Sequence, residues 1–191
     1  SPARRALQKQ LFADLRFADA AALSTAALAI WRGARYREER YVAIDLTGVR
    51  AARVFQTPAI LPLYEEMIVT GAWWDYVDVI AAHRLGGLLA QHRVIMRPLM
   101  LRWSVSEDMW KRRSAILCQL RFKEKTDLTL LYACIEPSLP SKEFFLRKAI
   151  GWALRQHAWT DPDEVRRYVR AHAGVLSPLS VREALKNIAA E

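Results

Sequence analysis

Apolar residues in this chain recur at intervals of three and four, and clean alternation of apolar with polar positions is hard to find. The first spacing gathers side chains on one stripe of an α-helix; alternation would have marked strands. The pattern predicts an all-α protein of about eleven short helices. They cover residues 2–14, 19–32, 37–54, 58–70, 73–91, 93–103, 107–124, 127–136, 141–158, 161–172 and 178–189. Only 7 glycines interrupt them. Four pairs, Ser1-Pro2, Thr57-Pro58, Asp161-Pro162 and Ser177-Pro178, set a capping side chain before a proline at the first helical position.

The helices also keep a longer rhythm. A small or β-branched residue followed by an aliphatic one appears at Ala43-Ile44, Val79-Ile80, Ala115-Ile116, Ala149-Ile150 and Ala184-Leu185. Trp74, Trp110 and Phe144 each precede their pair by the same offset. A period of about 35 residues with two helices per unit is the mark of an α-solenoid of HEAT-like repeats, whose concave face suits a long ligand. Residues 1–191 read as a single domain, because no Pro-, Gly- or Ser-rich linker divides them. Helix 2–14 has no partner before it in such an array, so further helices are expected upstream of Ser1.

Charge narrows the class of partner. The chain carries 29 basic and 20 acidic residues, a formal net charge of +9. An excess of that size favours a polyanion as partner and a basic concave groove to receive it. No run of 18 apolar residues predicts a membrane span. Cys118 and Cys134 sit in apolar runs and read as core residues of a reducing compartment. His83, His92, His157 and His172 form no ligand pair, so the sequence calls for no metal and no other cofactor.

Three helices of the array hold the unusual residues: "WWDYVDVI" from residue 73, "DMWKRRSAILCQL" from 108 and "SKEFFLRKAIGWALRQHAW" from 141. Helical spacing puts Trp74 and Asp78 on one stripe, and Lys148, Trp152 and Arg155 on another. Arg113 comes from the helix between. Stacked repeats align these stripes into one groove with two indole walls, a carboxylate and several cations. Aromatic faces beside cations suit bases and phosphates. Arg112, Arg147 and Lys142 read either as phosphate contacts or as solvated charges. Taken singly, Trp73, Trp110 and Trp159 read as packing residues and Asp75 as a first-turn partner of the helix dipole.

At these residues the sequence resembles the AlkD family of alkylpurine DNA glycosylases, a HEAT-like-repeat group. The matching stretches are "IVTGAWWDYVD", "MWKRRSAILCQLRFKEKTD", "SKEFFLRKAIGWALR" and "LSPLSVREALKNI", with "ERYVAIDL" a weaker extension. The resemblance implies a catalytic aspartate at Asp78, active-site tryptophans at Trp74 and Trp152, and DNA-contacting arginines at Arg113 and Arg155. Lys148, Arg112 and Arg147 join these as expected DNA contacts. It further implies hydrolysis of the N-glycosidic bond of N3- and N7-alkylated purines in duplex DNA, without a deep pocket for an extruded base. A monomer acting on cytoplasmic DNA is expected. A non-catalytic HEAT scaffold that binds DNA or a protein is the alternative from another class.

Overall fold

The computed structural model describes residue 8 and residues 10–188. Among these residues there are eleven α-helices and no strand. They are α1 (Ala20–Gly33), α2 (Arg37–Leu46), α3 (Leu61–Gly71), α4 (Trp74–Val79), α5 (Gly86–Gln91), α6 (Arg93–Ser104), α7 (Met109–Leu117), α8 (Leu128–Ile135), α9 (Phe144–Ala158), α10 (Pro162–Ala171) and α11 (Pro178–Leu185). A π-helical segment, Ile80–Leu85, joins α4 to α5 without a break in helical backbone. No helix among the described residues is long and apolar enough to cross a membrane.

The cap signals read from the sequence are met in part. The Asp161 and Ser177 side chains accept from the backbone N–H groups of Glu164 and Ser180, each ahead of a proline at the first helical position. Thr57 makes no such bond, and Pro58 opens a short 3-10 turn before α3. Ser1-Pro2 and most of the predicted helix 2–14 lie outside the described residues. The predicted helix 37–54 stops at Leu46, where Thr47 Oγ1 turns back to the Ile44 carbonyl and a 3-10 turn, Arg50–Phe55, follows. The predicted helix 107–124 likewise ends at Leu117, and a loop carries the chain to α8.

Packing follows the repeat. α1 lies on α2, α6 on α7, and α9 on both α10 and α11, while α7 bridges to α9 and to the π segment. The buried side chains form two apolar clusters. One gathers residues from Leu23 to Cys134, the other residues from Ala81 to Ala184. Helix α7 feeds both, giving Ala115 to the first and Ile116 and Leu117 to the second. It is therefore buried nearly all round. Both cysteines are buried and free, as core residues.

Polar links connect each unit to the next at the same spacing. Arg32 pairs with Glu66, Arg93 with Asp127, Arg113 with Asp78 and Lys148 with Glu183, partners 34 or 35 residues apart in each case. The small–aliphatic register of the sequence is buried at Ala43-Ile44, Ala115-Ile116 and Ala149-Ile150, and at Ile80 and Ala184. Val79 departs from it and is 38% exposed, because here the register opens into a groove.

Candidate active site

The groove begins at a turn that few side chains adopt. α3 ends on Ala72, whose φ of 43° is left-handed and whose N–H donates to the Ile68 carbonyl at 3.1 Å. That turn swings Trp73 into extended backbone and starts α4 at Trp74, so both indoles emerge at the helix start, 39% and 43% exposed. One turn later on the same stripe sits Asp78, only 8% exposed. Arg113 reaches it from α7. Its Nε donates to Oδ1 and its Nη2 to Oδ2, both at 2.7 Å, while Nη1 donates to the Phe145 carbonyl. This two-pronged grip fixes the carboxylate in one orientation.

The opposite wall is α9. Phe144, Lys148, Trp152 and Arg155 face the groove, each about one turn from the next along the helix. A close helix–helix approach holds this wall in place. At Gly151 a β-carbon would meet Cβ of Glu183 at 2.5 Å and the Ser180 carbonyl at 2.8 Å, so only glycine lets α11 settle against α9. The approach brings Glu183, 9% exposed, to Lys148 Nζ at 2.8 Å and Arg155 Nη1 at 2.6 Å. Trp74, Asp78, Arg113, Lys148, Trp152 and Arg155 thus border one cavity of about 370 Å³, together with Glu183, Phe144 and Phe145.

Electrostatics separate the two carboxylates. Burial pushes Asp78 above its ordinary value of 3.8; the Arg113 guanidinium pulls the other way, and Asp75 adds a smaller upward push. Glu183 is lowered, chiefly by its hydrogen bond with Lys148, with Arg155 and Lys186 adding attraction. Asp78 keeps accepting capacity beyond the two Arg113 bonds, since a carboxylate has about four lone-pair sites. The cavity therefore joins a shielded, oriented acid to two indoles and a cationic wall. Such a set can stabilise positive charge that develops on a bound ligand.

Of the eight residues expected as catalytic groups or DNA contacts, six border this cavity and two do not. Arg112 turns to Ser138 Oγ at 3.2 Å, and Arg147 donates to the Ser141 carbonyl at 2.9 Å; neither borders the cavity. Arg113 gives three nitrogens to protein acceptors and is 4% exposed, so in this arrangement it orients Asp78. Trp110 is packed against Phe145, as a packing residue should be. Trp73 and Trp159 are not core residues: Trp73, 39% exposed, lies under Arg37 with one edge against Phe145, and Trp159 is 69% exposed. Asp75 stands in the first turn of α4 and also accepts from Tyr41 Oη at 2.7 Å.

Glu183 is the residue that sequence reasoning missed. Its signal was present: it precedes Ala184-Leu185 as Asp78 precedes Val79-Ile80 and Lys148 precedes Ala149-Ile150. Phe144 enters the sequence reading only as a register mark and Phe145 is not singled out, yet both border the groove and Phe145 also gives its carbonyl to Arg113.

No curated protein is matched significantly by this chain. Among solved structures, it is similar to one described as a predicted DNA alkylation repair enzyme from Enterococcus faecalis. The two share 33% sequence identity and superpose with a TM-score of 0.85 over 100% of this chain and 86% of that one. The model of the family described as DNA alkylation repair enzyme matches residues 1–188, a span that takes in both walls of the groove and the arginine between them. With nearly its whole length matched, in sequence and in the all-α helical-repeat fold, the chain belongs to the DNA alkylation repair enzyme family.

Proposed function

We propose that this protein is a monofunctional DNA glycosylase that hydrolyses the N-glycosidic bond of N3- and N7-alkylated purines in duplex DNA, working as one HEAT-like-repeat domain. The observation that carries the reading is the Asp78 carboxylate, buried and aimed by Arg113, between the indoles of Trp74 and Trp152.

A purine alkylated at N3 or N7 carries a positive charge. It departs with the bonding electron pair and becomes neutral, so it needs no general acid. The sugar left behind has oxocarbenium character, as in glycoside hydrolysis. Asp78 stabilises that charge and directs a water to the anomeric carbon; the proton released as water adds goes to the carboxylate and on to solvent. Trp74 and Trp152 attract the cationic nucleotide through their ring faces, a contribution of about 0.5–2 kcal/mol per contact. Lys148 and Arg155, held by Glu183, face the flanking backbone. Lys148, the amine that borders the cavity with Asp78 and both indoles, is engaged with Glu183 and does not serve as a Schiff-base nucleophile, so the product is an intact abasic site.

Release of 7-methylguanine and 3-methyladenine from methylated duplex DNA tests the reading. Asp78→Asn is expected to abolish release while leaving duplex affinity within about threefold of wild type. A scaffold that binds without excising would release no base in either form, and that outcome defeats the proposal.

A further inference from the structure

The groove does not stop at Asp78. A second cavity, of about 380 Å³, shares Asp78 and Trp152 with the first and continues along the π segment past Val79 and His83. A third, of about 470 Å³, shares His83 and Arg121 with the second and reaches Gly86 and Gly87 on α5. The three form one trough. Its far end lies about 13 Å beyond Asp78, reckoned at about 1.5 Å per helical residue. The rise of DNA is about 3.4 Å per base pair along each strand, so that end serves nucleotides flanking the one at Asp78.

Three cations overhang this extension from the loop between α7 and α8. Arg121, Lys123 and Lys125 are all exposed, border the second or third cavity, and have no ion-pair partner among the described residues. Asp127, which also borders the trough, is already paired with Arg93.

The loop is built to hold its shape. Gln119 bridges to the backbone of Asp127 at both ends, donating from Nε2 at 3.0 Å and accepting at Oε1 at 2.8 Å. Phe122 packs into the first apolar cluster. Lys123 has a φ of 52°, a left-handed conformation that glycine would adopt without strain. Thr126 Oγ1 fixes it by donating to the Lys123 carbonyl at 2.7 Å. A lysine at a position where glycine would fit better, at the rim of a trough, points to work for its side chain.

The floor agrees. Gly87 stands on a helix, where glycine is disfavoured, yet a β-carbon there would meet nothing within 4 Å. Packing does not demand glycine at that position. Its absent side chain leaves room for a ligand to come close to the helix.

We infer that the loop bearing Arg121, Lys123 and Lys125, with the bare helix surface at Gly87, is a second anion subsite that holds the phosphodiester backbone of the duplex beyond the nucleotide at Asp78. This rests on the glycosylase reading for its choice of polyanion, though its test does not depend on base release.

The measurement is the slope of log Kobs against log salt concentration for an undamaged duplex, in wild type and in the triple variant Arg121→Ala/Lys123→Ala/Lys125→Ala. Each phosphate contact contributes about 0.9 to that slope. A fall of about 2 or more is expected, with single-turnover base release at saturating DNA within about threefold of wild type. Lys123→Gly separates ligand binding from folding: it should lower the slope by about 1 without lowering Tm. An unchanged slope, whether the loop is idle or docks an acidic protein, overturns the inference and leaves the glycosylase reading standing. A normal fall in slope with no base release by wild type condemns the glycosylase reading alone.

Discussion

At the scale of single residues, the proposed chemistry turns on the Asp78–Arg113 pair. A buried carboxylate without Arg113 would face desolvation alone, so its pKa would climb further above 3.8. Arg113→Met is therefore expected to move the acidic limb of the base-release profile upward, measured as single-turnover rate against pH. The sign follows from the chemistry. In the proposed reaction release requires the carboxylate, so the rate falls as pH drops through the Asp78 pKa, and a higher pKa brings that fall closer to neutrality. Stability runs the opposite way for this group: a raised folded-state pKa favours the fold most below the unfolded value, and the advantage is lost as pH rises through the folded value. At neutral pH the variant leaves a buried charge unpaired and should lose about 3 kcal/mol in denaturant unfolding. A pH profile unmoved by the substitution would mean that Asp78 does not govern the reaction.

At the scale of elements, the groove wall depends on one glycine. Gly151→Ala places a methyl against Glu183 and Ser180, so α11 must move away from α9 and draw Glu183 off Lys148 and Arg155. Overpacking of this kind costs about 1–3 kcal/mol. We expect that loss in thermal or denaturant unfolding, together with weaker duplex binding from freed cations that no longer hold position. The sequence announced helix type and order well, because apolar residues at three and four leave little alternative, and it announced the stripes of α4 and α9 for the same reason. It did not announce where helices stop. Leu46 and Leu117 end theirs through local turns after them, and periodicity continues past both. Nor could spacing tell Trp73 and Trp159 from core residues, since exposure depends on what the neighbouring repeat covers. Glu183 was hidden for a related reason: its role comes from a partner 28 or 35 residues away, visible only once repeats are stacked.

At the scale of the whole molecule, two apolar clusters meet at α7 instead of forming one round core. Stability in such an array is a sum of units and their junctions. Native-state hydrogen exchange is expected to show α7 amides as the slowest, with α1–α3 and α10–α11 opening as separate, faster groups. Uniform protection throughout would contradict that division. Trp74 and Asp78 ride on a helix whose Tyr76 and Val77 belong to the first cluster, whereas Lys148 and Trp152 ride on one whose Ala149, Ile150 and Ala153 belong to the second. The two jaws of the groove are thus mounted on different blocks, and Arg113 is the pin between them. In the proposed complex, a duplex that levered the blocks apart or together would change the gap between the indoles directly, so the bend of the DNA would itself gauge how hard one nucleotide is gripped relative to its neighbours.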